Sequence, residues 1–211
     1  INGHGSNAEF ILATPDQLAR LSKDVSFAEG ATLPLAGLTG RQAVDAVGAK
    51  AGDRVLVTGA LGAVGRAAIQ YLKQIGATPV AGVRGSRIEE ARKLGIDALD
   101  IDGNMDERSI VGSAIDTIGG AVATNAIRLV RSGGKLAAVA GGPEGANADG
   151  RITVINVWTV DDGATLQKIA DAAASGELSI PIAKTFKLSE VAEGHKLMSA
   201  GKVGGKIIFI P

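Results

Sequence analysis

Residues 55–77, VLVTGALGAVGRAAIQYLKQIGA, constrain the fold more than any other part of the chain. An apolar run of Val and Leu gives way to glycines at 59, 62 and 65, and then to an amphipathic segment. Arg54 to Thr58 reads as a buried strand, and Gly65 to Ile75 as a helix with Val64, Ala68, Leu72 and Ile75 on one face. A glycine bend between a buried strand and a helix frees backbone amides at the helix start. Those amides and the helix dipole together favour an anion.

The spacing Ala60-x-Gly62-x-x-Gly65 is a dinucleotide-binding fingerprint with alanine in its first glycine position. One such residue makes the tight turn, one lets a pyrophosphate approach the backbone, and one lets helix and strand pack closely. A site for NAD carries Asp or Glu about 20 residues further on, to accept from the ribose hydroxyls. This chain has GVRGSRIEE there, so Arg84, Ser86 and Arg87 come before the first acid, Glu89. Guanidinium groups and a hydroxyl suit a ribose 2′-phosphate that a carboxylate would repel. NADPH is therefore expected, with NADH the less favoured cofactor.

From about residue 36 onward, extended and helical patterns alternate, as they do in parallel strands joined by crossover helices. Strands are expected at 78–83, 98–101, 110–116 and 135–140. Helices are expected at 87–94 and 120–130, the second stopped by Gly133 and Gly134. The fold class is thus α/β, a doubly wound parallel sheet. Toward the ends, residues 7–13 read as a strand and a helix begins near Leu33. A helix over about 161–175, a strand at 183–187, a helix from Ser189 to Ala200 and a strand at 206–210 follow.

With 211 residues, 45% of them hydrophobic, the chain can bury a full core. Its 22 basic and 22 acidic residues form no long basic stripe, so nucleic acid is not an expected partner. It has no cysteine, and hence no disulfide or thiolate metal site. No apolar run approaches the roughly 20 residues of a membrane span, and the opening lacks the form of a signal peptide. A cytoplasmic location is expected, with no membrane partner. The first residue, Ile1, suggests a fragment or a processed chain.

Taken in order, NAEFILATPDQLARLSKDVSFAEGATLPLAGLTGRQAV, AGDRVLVTGALGAVGRAAIQYLKQIGA, IDTIGG, VRSGGKLAAVAGG and LSEVAEGHKLMSAGKVGGKIIFIP resemble one family. It is the zinc-independent quinone oxidoreductase branch of the medium-chain dehydrogenase/reductase superfamily. The resemblance implies a Rossmann domain at 35–158 with remnants of a GroES-like catalytic domain at both ends, 1–34 and 159–211. It also implies that most of that catalytic domain is absent, and that the cofactor lies in the cleft between the two domains. Thr39 would stand beside the nicotinamide, Gly62, Ala63 and Val64 at the pyrophosphate, and Ser86 and Arg87 at the 2′-phosphate. Gly141 and Gly142 would form the loop that passes the nicotinamide, and a homodimer would arise by extension of the sheet edge.

Two departures stand out. Asp102 occupies a position where the family often has tyrosine, and Arg41 one where an aromatic residue is common. Zinc-dependent relatives carry a cysteine or acidic ligand just before the position of Thr39, where this chain has LPLAGL at 33–38, so no metal is expected.

The expected activity is hydride transfer from NADPH to a small-molecule quinone or conjugated enone, with no catalytic residue identified. An enoyl thioester reductase, another medium-chain reductase and a nucleotide-binding module remain open. His4 is expected on a loop surface, His195 partly buried or at a polar contact, and Trp158 in packing. Asp161 and Asp162 mark a helix start, and Asp106, Glu107 and Arg108 a solvated loop.

Overall fold

The computed structural model of the chain describes residues 6–103, 110–148, 150–201 and 203–211. Its elements are α1 (Phe27–Gly30), α2 (Leu33–Val47), β1 (Arg54–Thr58), α3 (Ala63–Gln74), β2 (Thr78–Val83), α4 (Ile88–Lys93), β3 (Asp97–Asp100) and β4 (Val111–Asp116). There follow α5 (Gly120–Leu129), β5 (Val130–Ala138), β6 (Thr153–Asn156), α6 (Gly163–Ala174), β7 (Ile182–Lys187), α7 (Val191–Ser199) and β8 (Lys206–Ile210). They fall into two compact units, one of Thr39–Thr159 and one made of the residues up to Leu38 with Val160–Pro211.

The first unit is the expected doubly wound α/β fold. Its six strands run parallel in the order β3-β2-β1-β4-β5-β6, so the winding reverses between β1 and β4. Register brings Leu56 beside Val80 and Ala114, and Ala114 beside Leu136. These four side chains are fully buried and pack in one cluster with Ala126 and Leu129 of α5. Burying a Leu or Val contributes about 1.5–3 kcal/mol, which explains why these strands read as unbroken apolar runs rather than alternating ones. Gly40 lets α2 press on α3: a Cβ there would lie 2.9 Å from both the Ala67 Cβ and the Ala68 backbone nitrogen.

In the second unit β7 and β8 form a two-stranded parallel sheet, with the rings of Phe186 and Phe209 6.1 Å apart. Gly194 of α7 is packed so tightly on Phe209 that a Cβ would overlap the ring. Asp162 caps α6, accepting from the Thr165 backbone N–H at 2.9 Å and the Thr165 hydroxyl at 2.6 Å. Asp161 accepts instead from Gln17 Nε2 at 2.7 Å.

Several expectations are corrected. Residues 7–13 form no strand; Phe10 is 90% exposed and Leu12 fully so, and no described strand pairs with the segment. An apolar run makes a strand only where a neighbouring edge takes its backbone groups. The stop of α5 is not made by Gly133 and Gly134, which lie inside β5. Val130 turns extended directly after Leu129, and the Arg151 guanidinium takes the carbonyls of Ile127 and Val130. Strand β6 was not anticipated. Trp158 is 77% exposed rather than packed. His195 is exposed as well, and its ring meets Phe209 and, at 3.4 Å, the Asn7 amide. His4, Asp106, Glu107 and Arg108 lie outside the described residues.

Candidate functional site

The bend after β1 is built by close approach. Gly59 takes a left-handed conformation, φ +63°, and its carbonyl accepts from the Gly62 N–H at 2.8 Å. Gly62 is extended and caps α3 without a side chain, and the Arg66 N–H donates to the Gly62 carbonyl at 2.9 Å. The N–H groups of Ala63, Val64 and Gly65 therefore precede the first helical hydrogen bond, which leaves them as donors for a ligand. A Cβ on Gly65 would stand 2.8 Å from the Ala60 Cα and closer still to the Gly59 carbonyl oxygen. Alanine at position 60 fits because the left-handed step falls on Gly59, while the Ala60 methyl is buried. This open, glycine-lined helix start fits a diphosphate.

Across the point where the winding reverses, Asp116 at the end of β4 is fully buried. It accepts from Thr58 Oγ1 at 2.5 Å and from the Gly119 N–H at 2.7 Å. The Thr117 N–H donates to Thr58 Oγ1 at 3.2 Å, and Thr117 Oγ1 donates to the Thr58 carbonyl at 2.9 Å. Three polar links thus tie the carboxyl ends of β1 and β4, the Gly119 bond holds the turn into α5, and the buried Asp116 is tolerable because it is satisfied in this way. Gly119 (φ +82°) and Gly120 (φ +56°) then open α5. In a sheet of this kind ligands bind at the carboxyl ends beside such a reversal.

Of the residues singled out from the sequence, Gly62, Ala63 and Val64 follow β1, while Arg84, Ser86 and Arg87 follow β2. Gly141 and Gly142 follow β5. All lie beyond the carboxyl end of the same parallel sheet. Gly141 has φ +91° and open space on its Cβ side, and the Gly142 N–H donates to Asn156 Oδ1 at 2.7 Å. Thr39, in α2, is buried with its hydroxyl 2.6 Å from that of Thr159.

The loop after β2 holds a more balanced charge than its sequence suggests. Arg84 and Ser86 are exposed, but Arg87 is bound at two points to Glu90, each 2.9 Å. Arg66 approaches the same carboxylate at 3.6 Å while its Nε donates to the Leu61 carbonyl at 3.3 Å, so Glu90 links α4 to the glycine bend. Asp100, from the end of β3, presses its carboxyl group on Gly85 and accepts from the Asp102 N–H at 3.0 Å. The acid that adjoins this loop is therefore Asp100, with Asp102 exposed beyond it.

Thr58, Asp116, Glu90, Arg66 and Asp100 escaped the sequence reading. The first two had a readable signal, a polar residue at the carboxyl end of each of two largely apolar strands. Among the described residues no three His, Cys, Asp or Glu side chains gather to hold a metal ion, and no helix is long and apolar enough to cross a membrane.

Residues 105–209 match the family described as zinc-binding dehydrogenase. An alcohol dehydrogenase of Geobacillus stearothermophilus is 32% identical over 97% of this chain and 64% of its own length. The NADPH-dependent alkenal/one oxidoreductase, chloroplastic, of Arabidopsis thaliana is 29% identical over 98% of this chain and 53% of its own. The solved quinone oxidoreductase of Coxiella burnetii superposes with a TM-score of 0.85 at 26% identity, over 94% of this chain and 66% of that one. Over nearly its whole length the chain is similar to medium-chain dehydrogenases/reductases, and its six-stranded unit has their α/β fold. The chain spans 53–66% of the length of those three proteins. The glycine bend and the reversed winding both lie in the six-stranded unit.

Proposed function

We propose that the chain is the cofactor-binding part of an NADPH-dependent reductase that passes a hydride to a quinone or conjugated enone without zinc. The observation that carries this reading is the uncapped start of α3, pressed against the end of β1 so closely that Gly65 admits no side chain. When bound, the nicotinamide supplies the hydride. The chain's own residues bind and orient: the Ala63, Val64 and Gly65 amides take the diphosphate, and Arg84 and Ser86 the 2′-phosphate, with Arg87 shared from Glu90. Gly141 and Gly142 leave room along the nicotinamide, with Thr39 beside it. Holding two reactants in line can lower a barrier by roughly 7–11 kcal/mol, so a reductase site needs little acid–base equipment.

Zinc is left out because residues 33–38, LPLAGL, contain no oxygen, nitrogen or sulfur side-chain ligand. The unit of residues up to Leu38 and from Val160 is assigned as the GroES-like remainder of a catalytic domain. A cytoplasmic location suits the cysteine-free composition, in contrast to the chloroplast named for the Arabidopsis relative. The homodimer implied by the resemblance would extend one of the two outer strands of the sheet, β3 or β6; at β6, Asn147 is bonded to Val154.

The test is turnover of NADPH by the chain with benzoquinone and with a simple enone, beside a binding titration. Binding with oxidation of NADPH supports the reductase. Binding without oxidation reduces the chain to a nucleotide-binding module, and no binding removes both.

A further inference from the structure

Trp158 is the single tryptophan of the chain, and it stands 77% exposed just past the carboxyl end of β6. The residues on either side of it are held. Val157 is buried, its N–H donating to the Ala138 carbonyl at 2.9 Å, and the Thr159 hydroxyl lies 2.6 Å from that of Thr39. Asn156 and Trp158 are exposed, whereas Val157 is buried and Thr159 partly so, which is the alternation of an extended chain. Trp158 therefore comes out on the side of Asn156 and Val154.

That is the side on which the loop after β5 folds. The Gly142 N–H donates to Asn156 Oδ1 at 2.7 Å, and a Cβ on Gly142 would lie 2.7 Å from Val154 Cγ1. Gly141, one residue earlier, has open space on its Cβ side. Two residues of extended chain span about 6.6 Å, so the indole stands one such step beyond the carboxamide that pins the loop. Asn156 is tied to Gly142 and Thr159 to Thr39, the residues assigned above to the nicotinamide. Trp158 thus sits between the two anchors of that end of the site, and an indole is a large, rigid face that loses little freedom when a ligand covers it.

We propose that Trp158 is the substrate-facing wall at the nicotinamide end of the site, and that it selects a flat conjugated ring system, a naphthoquinone in preference to an acyclic enone. The inference rests on the reductase reading above and names its substrate class more closely. Offset stacking of two flat rings adds to area burial by about two- to tenfold in affinity. An acyclic enone covers too little of the indole to gain it.

Fluorescence lifetimes of the chain with menadione and NADP⁺ test the proposal, because Trp158 is the only tryptophan and no cysteine is present to add to the quinone. Binding of NADP⁺ is read separately by calorimetry. With NADP⁺ bound, menadione is expected to quench Trp158 saturably at unchanged lifetime, the mark of a standing complex and not of collision. This arm needs no variant. In equilibrium dialysis, Trp158→Ala should weaken menadione about two- to tenfold and pent-3-en-2-one much less, and Trp158→Phe should recover most of the loss. A tryptophan with a merely structural role would not change that selectivity. Three results overturn the proposal while NADP⁺ still binds: no quenching, quenching linear in menadione with a falling lifetime, or equal losses for menadione and pent-3-en-2-one. A folded chain that does not bind NADP⁺ removes the reductase reading, and this inference with it.

Discussion

Arg87 clasps Glu90 through two contacts of 2.9 Å, Nε to Oε2 and Nη2 to Oε1. A guanidinium held this way must be shared before it can serve a 2′-phosphate. The carboxylate also adds a like charge beside that phosphate. In water-like surroundings two unit charges about 6 Å apart interact by about 0.7 kcal/mol, and a phosphate carries up to about two charges. Glu90→Gln should therefore tighten NADPH by about three- to tenfold and leave NADH nearly unchanged, less so in high salt. Parallel titrations with both cofactors measure it. Weaker NADPH binding would instead make Glu90 a brace that aims Arg87.

The two glycines of the bend should fail in different ways. At Gly62 a Cβ would meet the Gly59 carbonyl oxygen at 3.2 Å, a contact a small shift relieves. Gly62→Ala should keep the fold and weaken NADPH. At Gly65 the added methyl would overlap backbone on the strand side of the bend. Overpacking of this kind costs about 1–3 kcal/mol, so Gly65→Ala should lower the thermal midpoint as well as abolish binding. Circular dichroism melts beside titrations separate the two.

Among the described residues Tyr71 of α3 finds no hydrogen-bond partner for its buried hydroxyl, and burial pushes its pKa up to about 12, with the Arg41 charge acting the other way. A buried unsatisfied hydroxyl costs about 1–3 kcal/mol. Tyr71→Phe should stabilise the chain by about 1 kcal/mol, a rise of about 2–4 °C in Tm. A fall in Tm would mean that the hydroxyl has a partner in solution.

Asp162 gives a pH test with a definite sign. Hydrogen bonds from the Thr165 hydroxyl, and then from the Thr165 backbone, hold its carboxyl below the ordinary value. The folded state thus gives up the proton more readily than the unfolded one, so the cap's contribution is complete above the ordinary aspartate value of about 4. It is lost as pH falls through the lower folded value. Urea midpoints of wild type and Asp162→Asn should differ most at neutral pH and converge in acid. A gap that widens on acidification contradicts the assignment.

How far the sequence could be read depended on whether the deciding partner was local. The bounds of β1, β2 and β8 were legible because each is an apolar run with polar or glycine flanks. The bend of Gly59, Gly62 and Gly65 was legible because its strand and helix adjoin it. Residues 7–13 misled, since an apolar run reports what a segment would do with a neighbouring edge and not whether one is present. Asp100 was hidden for a related reason: it reaches Gly85 only because β3 lies beside β2. The Arg66–Glu90–Arg87 cluster joins three turns of chain that only the packing of α3 and α4 brings together.

The central claim, that the start of α3 cradles the diphosphate of a nicotinamide cofactor, is tested most directly by fluorescence titration of the chain with NADPH. Saturable binding by wild type, competed by unlabelled NADP⁺ and weakened in a folded Gly62→Ala variant, is the result expected. A folded wild-type chain that shows no saturation with NADPH or NADH, or a Gly62→Ala variant that binds as wild type does, would contradict it.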